Sequence, residues 1–245
     1  MPSGAITFDF HNTLAVCDRW FQLETHDFAA EWLAWQAARH GAAPDERRLA
    51  DARLLYRALR RAIMDHGEEL PAERCVAVVL DQLGVAVDPT AVAEGVDVLM
   101  RDAFATVSPV PGAIPTVRTL ADAGVPLGIV SSAVHHPFLE WTLDAFGLQS
   151  AFRVVTTSAS AGYYKSRPEI FWQTLELLGA SPGASVHVGD SYRFDVGGAR
   201  RAGMRAVWLQ RPGASPIPDI PPPALTVSSL VDVAPQLLRL VAERA

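Results

Sequence analysis

Ala5-Ile6-Thr7-Phe8-Asp9-Phe10-His11-Asn12-Thr13-Leu14 decides how this chain is read: an apolar run ends in a carboxylate and then turns through short polar residues. The run is short and bounded, as expected of a parallel strand buried on both faces. In open α/β sheets the carboxyl ends of such strands face the ligand crevice. Burying an unpaired carboxylate is costly, so Asp9 demands a partner, a metal or a lysine, from further along the chain.

The search for that partner divides the sequence in two. From about Glu24 to Thr106 it reads as helices. One runs from Glu24 to Arg39 and is stopped by Gly41. A second begins near Pro44-Asp45, carries Leu49, Ala52, Leu55, Leu59 and Ile63 on one face, and ends at Gly67. A third follows Pro71 to Leu83-Gly84, and a fourth follows Asp88-Pro89 to Phe104. Four amphipathic helices in succession predict a small bundle. From Pro109 strands and helices alternate: strands over Val125–Val130, Arg153–Thr156, Ser185–Val188, Arg205–Leu209 and Leu225–Val227, and helices over Ile114–Ala123, Phe138–Phe146, Glu169–Leu178, Asp195–Ala202 and from Leu230 onward. Repeated strand–helix units imply a mostly parallel sheet covered on both faces. The expected fold class is α/β, a Rossmann-like core over residues 1–16 and 106–245 with a helical bundle, residues 17–105, inserted after the first strand.

The predicted strand ends carry the partners. Ser131 follows Gly128-Ile129-Val130, Lys165 lies in Gly162-Tyr163-Tyr164-Lys165-Ser166-Arg167-Pro168, and Asp190 and Asp195 lie in Val188-Gly189-Asp190-Ser191-Tyr192-Arg193-Phe194-Asp195. A nucleophilic carboxylate, a hydroxyl, a cation and an acidic pair on one rim suit phosphoryl transfer. Asp9 would attack phosphorus to form an aspartyl-phosphate that water hydrolyses. Mg²⁺, a hard cation wanting oxygen ligands, would sit between Asp9 and Asp190. Lys165 and Ser131 would bind the transferring group.

This ordered set resembles the haloacid dehalogenase (HAD) superfamily, over essentially the whole chain. The resemblance implies Asp9 as nucleophile, Ser131 and Lys165 as phosphate-binding and catalytic groups, Asp190 as metal ligand and Asp195 as support. It also implies that the backbone at Thr13 lies near phosphate, and that the insert is a C1-type cap closing over a small-molecule substrate. One position departs from the family. Most of its phosphatases carry a second aspartate two residues after the nucleophile, as general acid and then base; here that residue is His11. The family's metal takes the backbone carbonyl at this position, so His11 remains a metal ligand under the resemblance. An imidazole with a reference pKa of about 6.5 can itself move protons near neutrality. Haloacid dehalogenases also lack that aspartate and work without metal, which keeps a metal-independent dehalogenase as the alternative, together with a catalytically silent binding protein. Retention of Asp190 favours the phosphatase, because a carboxylate facing Asp9 without a cation suffers like-charge repulsion.

Each assignment has a plainer rival. Ser131 or Asp195 would serve as a helix cap, Lys165 as a solvated loop charge, and His11 as an inert occupant. His135 and His136 read as a solvated loop and His187 as a satisfied core histidine. Trp20, Phe21, Trp32 and Trp35 read as packing, and Arg57, Arg60 and Arg61 as a solvated helix face. Composition narrows the function class. Twenty-one basic against 27 acidic residues give a net charge of −6, without a basic face for nucleic acid. Two isolated cysteines, Cys17 and Cys75, lack metal-ligand spacing and point to reduced thiols in the cytoplasm. No signal peptide is expected, nor any apolar run near the ~20 residues of a membrane span. The sequence is silent on oligomeric state and on which phosphate monoester is the substrate.

Overall fold

The structure, a computed structural model, describes residues 4–243. The outermost positions of the expected core, 1–3 and 244–245, lie outside the described residues. The chain opens with β1 (Ile6–Phe8), followed by the short β2 (Ala15–Val16). It then runs through helices α1 (Asp18–Gln22), α2 (Phe28–Arg39), α3 (Glu46–His66), α4 (Ala72–Gln82) and α5 (Pro89–Phe104), and returns through β3 (Ser108–Pro109). The remainder alternates: α6 (Ala113–Asp122), β4 (Leu127–Ser131), α7 (His136–Ala145), β5 (Val154–Thr157), α8 (Ser158–Ala161), α9 (Glu169–Leu178), β6 (Val186–Gly189), α10 (Gly197–Arg201), β7 (Arg205–Leu209), β8 (Leu225–Val227) and α11 (Ala234–Ala242).

Six strands form one parallel sheet in the order β5-β4-β1-β6-β7-β8. β1 is central, with Phe8 opposite Ile129 on one side and Val188 on the other. All three of its residues are buried, as the apolar run requires, and the lone polar one, Thr7, is satisfied by His187 Nδ1 at 2.9 Å. β2 and β3 pair antiparallel, Ala15 with Pro109, so the chain leaves and re-enters the sheet region at one point. The helices between them share one apolar cluster with the sheet, joining Phe8 and Phe10 to Trp20, Leu23, Phe28 and Trp32. Trp20 on α1 stacks on Phe138 at 5.4 Å and meets Phe10 edge-on at 6.0 Å. Aromatic pairs of this kind contribute about 0.5–1.5 kcal/mol beyond burial, and here they seat the first helix beside Asp9.

Local chemistry accounts for the element ends. Asp45 accepts from the Arg47 and Arg48 amides to start α3, and Gly67, in the left-handed region at φ 82°, ends it. Asp88 caps α5 ahead of Pro89. Several expectations are corrected. Helical structure begins at Asp18 rather than Glu24, with a π-helical turn over Leu23–Asp27, and α11 begins at Ala234 rather than Leu230. The buried face of α3 is Leu49, Ala52, Tyr56, Arg60 and Ile63, while Leu55 and Leu59 are half-buried. Arg60 is therefore not on a solvated face: Glu69 draws it inside. His135 is likewise buried, packed edge-on against Trp141 at 5.4 Å. Among the described residues no helix is long and apolar enough to cross a membrane.

Candidate active site

Parallel strands end on one edge, and that edge gathers the residues singled out above. Asp9 follows β1, its amide donating to Val188 C=O at 2.8 Å. A tight turn follows, in which the Leu14 and Ala15 amides return to Phe10 C=O and Asn12 takes a left-handed φ of 62°. That turn brings Thr13 under Asp9, where its hydroxyl donates to Oδ2 at 3.0 Å. The Thr13 side chain is wholly buried and is spent on holding the carboxylate.

The other Asp9 oxygen, Oδ1, accepts from Lys165 Nζ. Lys165 also donates to Asp195 Oδ1 at 2.6 Å, so the buried ammonium bridges two carboxylates, which raise its pKa against burial. It is not a solvated loop charge. Asp195 in turn accepts from the Ser191 amide at 2.8 Å and from His187 Nε2 at 3.2 Å. With Nε2 donating, His187 Nδ1 is the acceptor for the Thr7 hydroxyl, which fixes one tautomer. His187 is satisfied in the core, as its place in a strand implies, and it also braces the site. Despite opposing burial, Lys165 and His187 hold the Asp195 carboxyl down to about 2. Ser131, at the end of β4, is buried and lines the cavity. Ser132 Oγ accepts from the Lys165 amide at 3.3 Å.

Asp9, Asp190 and Asp195 bring carboxylate oxygens within 4.8 Å of one another. Burial, then the nearby Asp9 and Asp195, push the Asp190 carboxyl up to about 8, and among the described residues its side chain takes no hydrogen bond. Burial likewise raises Asp9, with Lys165 pulling against it. Three carboxylates against one ammonium leave two negative charges when all are ionised. An all-oxygen donor set with that surplus fits a hard divalent cation. The His11 ring stands outside this cluster. It stacks on Phe21 at 4.6 Å, with Nε2 3.5 Å from Asp18 Oδ1, and burial lowers its pKa.

These groups line one side of a cavity of about 280 Å³, and Trp20, Phe21, Glu24, Arg60 and Met64 from the helical block face them. Glu24 and Arg60 are functional candidates that the helical periodicity obscured. The π-helical turn over Leu23–Asp27 buries Glu24, whose carboxylate accepts from the Val134 amide at 3.0 Å. Burial drives its pKa well above the usual range, with Arg60 opposing. For Arg60 a signal existed: it continues the Leu49, Ala52, Tyr56, Ile63 stripe at helical spacing.

The chain is 34% identical over 158 residues to a glyceraldehyde 3-phosphate phosphatase of Methanopyrus kandleri, covering 64% of this chain and 66% of that one. It is 35% identical over 100 residues to the human N-acylneuraminate-9-phosphatase, covering 40% of each. The matches thus span between about two fifths and two thirds of these relatives' lengths. A HAD phosphatase from Thermococcus onnurineus superposes with a TM-score of 0.65 at 25% identity, over 96% of this chain and 97% of that one. A 2-haloacid dehalogenase from Pseudomonas syringae shares the fold, with a TM-score of 0.71 at 24% identity over 97% and 98%. The hydrolase family described as haloacid dehalogenase-like matches residues 4–203, and to that family the chain belongs.

Proposed function

We propose that the protein is a Mg²⁺-dependent phosphatase acting on a small phosphate monoester through an aspartyl-phosphate at Asp9. One observation carries the reading: Asp9 is fixed by Lys165 on one oxygen and Thr13 on the other, beside the carboxylates of Asp190 and Asp195. Asp9, Asp190 and the carbonyl of His11 would hold the metal, whose charge would offset that of the transferring phosphoryl group. Asp9 attacks phosphorus as the ester P–O bond breaks, and the leaving oxygen takes a proton from His11. Water then gives a proton to His11 as it attacks the aspartyl-phosphate, releasing phosphate and restoring Asp9. Lys165 and Ser131 bind the phosphoryl oxygens, and Asp195 holds Lys165 in reach. The helical block, residues 17–105 in the proposed division, covers the cavity and limits water there.

Both named relatives are phosphatases of small organic phosphates, which supports the substrate class. Asp190 argues against the metal-free dehalogenase reading, since burial and the nearby Asp9 and Asp195 outweigh Lys165 and Arg211 and leave its carboxyl short of positive charge. The two free, buried thiols suit the cytoplasm. The test is phosphate release from a panel of small monoesters, with Mg²⁺ and with chelator, for wild type and Asp9→Asn. Release that needs both Mg²⁺ and Asp9 is expected. Turnover that survives chelator, or Asp9→Asn, overturns the reading, and halide release from 2-haloacids would then be the next assay.

A further inference from the structure

Lys165 is the only lysine in the chain. Its stem is flexible, so where Nζ lies depends on how firmly the backbone beneath it is held. The ties of Lys165 itself are long: its amide to Ser132 Oγ and its carbonyl to Arg201 Nη2 are both 3.3 Å. Shorter ones come from the helical block. Gly67-Glu68-Glu69, between α3 and α4, runs antiparallel to Gly162-Tyr163-Tyr164, the three residues before Lys165. The Tyr164 amide donates to Gly67 C=O at 2.9 Å and the Glu69 amide to Gly162 C=O at 3.0 Å. Gly67 permits this approach, because a Cβ there would fall 2.2 Å from Arg167 Cγ.

Glu69 secures the ladder from within. Its side chain is fully buried and accepts from Arg60 Nη1 at 2.5 Å and Nη2 at 3.1 Å, from Ser158 Oγ at 2.8 Å and from the Leu70 amide at 2.9 Å. Arg60 belongs to α3 and Ser158 to α8, beside the sheet, so one carboxylate ties the two parts together. Desolvation offsets much of the attraction within a buried ion pair, and fixing one geometry is the best-attested use of such a pair.

We infer that Glu69 is a positioning residue for Lys165: with the Gly67–Glu69 ladder it locks the loop that delivers the ammonium to Asp9, so the site is complete only while the helical block is seated. The inference rests on the phosphatase reading for the role of Lys165, but its main readout does not. In the full-length protein, acylation by sulfosuccinimidyl acetate, followed by mass spectrometry of the Lys165 peptide, reports this side chain alone. Glu69→Gln should speed Lys165 acylation by about tenfold or more, because the loop opens more often. With nitrophenyl phosphate, kcat should fall about tenfold while KM moves far less, as when an interaction used in the transition state is lost. Ser158→Ala, which removes the sheet-side donor to Glu69 together with its bond to the Ala133 carbonyl, should shift both in the same direction by less. Acylation and kcat at wild-type values, with only the melting temperature lowered, would show that Glu69 is purely structural and overturn the inference. Should Glu69→Gln not fold, Ser158→Ala decides on the same readouts. If the wild type turns over no phosphate ester, the phosphatase reading fails, and acylation alone decides whether Glu69 positions Lys165.

Discussion

His11 brings an imidazole to the cavity wall in a state that burial keeps mostly neutral at pH 7. A neutral ring is ready to take the proton of the attacking water, and its protonated fraction, the form that serves a leaving alkoxide, grows as pH falls. His11→Ala should therefore slow hydrolysis of alkyl phosphates by about 10²-fold or more, and that of nitrophenyl phosphate, whose leaving group scarcely needs a proton, by much less. Equal losses on both would remove the proton-transfer role. A second histidine titrates for structural reasons. Among the described residues the buried Nδ1 of His135 has no partner, and burial holds its pKa down at about 4, against an ordinary 6.5. The unfolded chain then binds the proton more readily, so stability is present above pH 6.5 and is lost as pH falls toward 4. His135→Leu should flatten that part of the stability curve by about 1–3 kcal/mol. Urea melts of both proteins at pH 7 and pH 4.5 measure this, and parallel curves would show that His135 does not titrate on unfolding.

At the scale of elements, the turn after β6 binds strand to chemistry. Gly189 closes the strand, and a Cβ there would lie 2.3 Å from Asp195 Cγ. β6 is flanked by β1 and β7 and has no room to shift, so Asp195 would have to move and carry Lys165 with it. Gly189→Ala should lower kcat/KM by about 10²-fold, the order expected when a reacting group is misplaced by an ångström. Wild-type kinetics would mean that Asp195 does not govern the position of Lys165. Sequence legibility varies around this turn for physical reasons. Helix α9 is readable to the residue, because Pro168 and Gly179 punctuate it, and β7 and β8 stand out as bounded apolar runs. Asp9, Ser131 and Asp190 can be listed from sequence because each ends or follows a strand-like run, and Lys165, which lies beyond α8, because it completes the ordered set. The π-helical turns over Leu23–Asp27 and Tyr192–Val196 cannot, since one extra residue per turn leaves no compositional mark. Yet those turns bury Glu24 and Asp195. The two-residue β2–β3 pair and the Arg60–Glu69–Ser158 contacts depend on partners distant in sequence, which local periodicity does not report.

For the whole molecule, the carboxylate cluster opposes folding until a cation is bound. Asp190 is held up to about 8 in the fold against 3.8 for the free side chain, so its contribution is favourable below that lower value and is lost as pH rises toward 8. At pH 7 this costs the metal-free protein on the order of 1–3 kcal/mol, allowing for partial solvent access. Asp190→Asn removes the cost and should melt above the wild type in chelator. Mg²⁺ reverses the order. A ligand at a hundred times its Kd adds about 2.7 kcal/mol to the form that binds it. For a chain of this size that is about 5–10 °C in melting temperature, given to the wild type and largely denied to Asp190→Asn. Two melting curves for each protein, with Mg²⁺ and with chelator, should therefore cross in rank. A wild type whose melting temperature ignores millimolar Mg²⁺ would mean that Lys165 alone balances the cluster, and the metal-dependent chemistry would have to be abandoned.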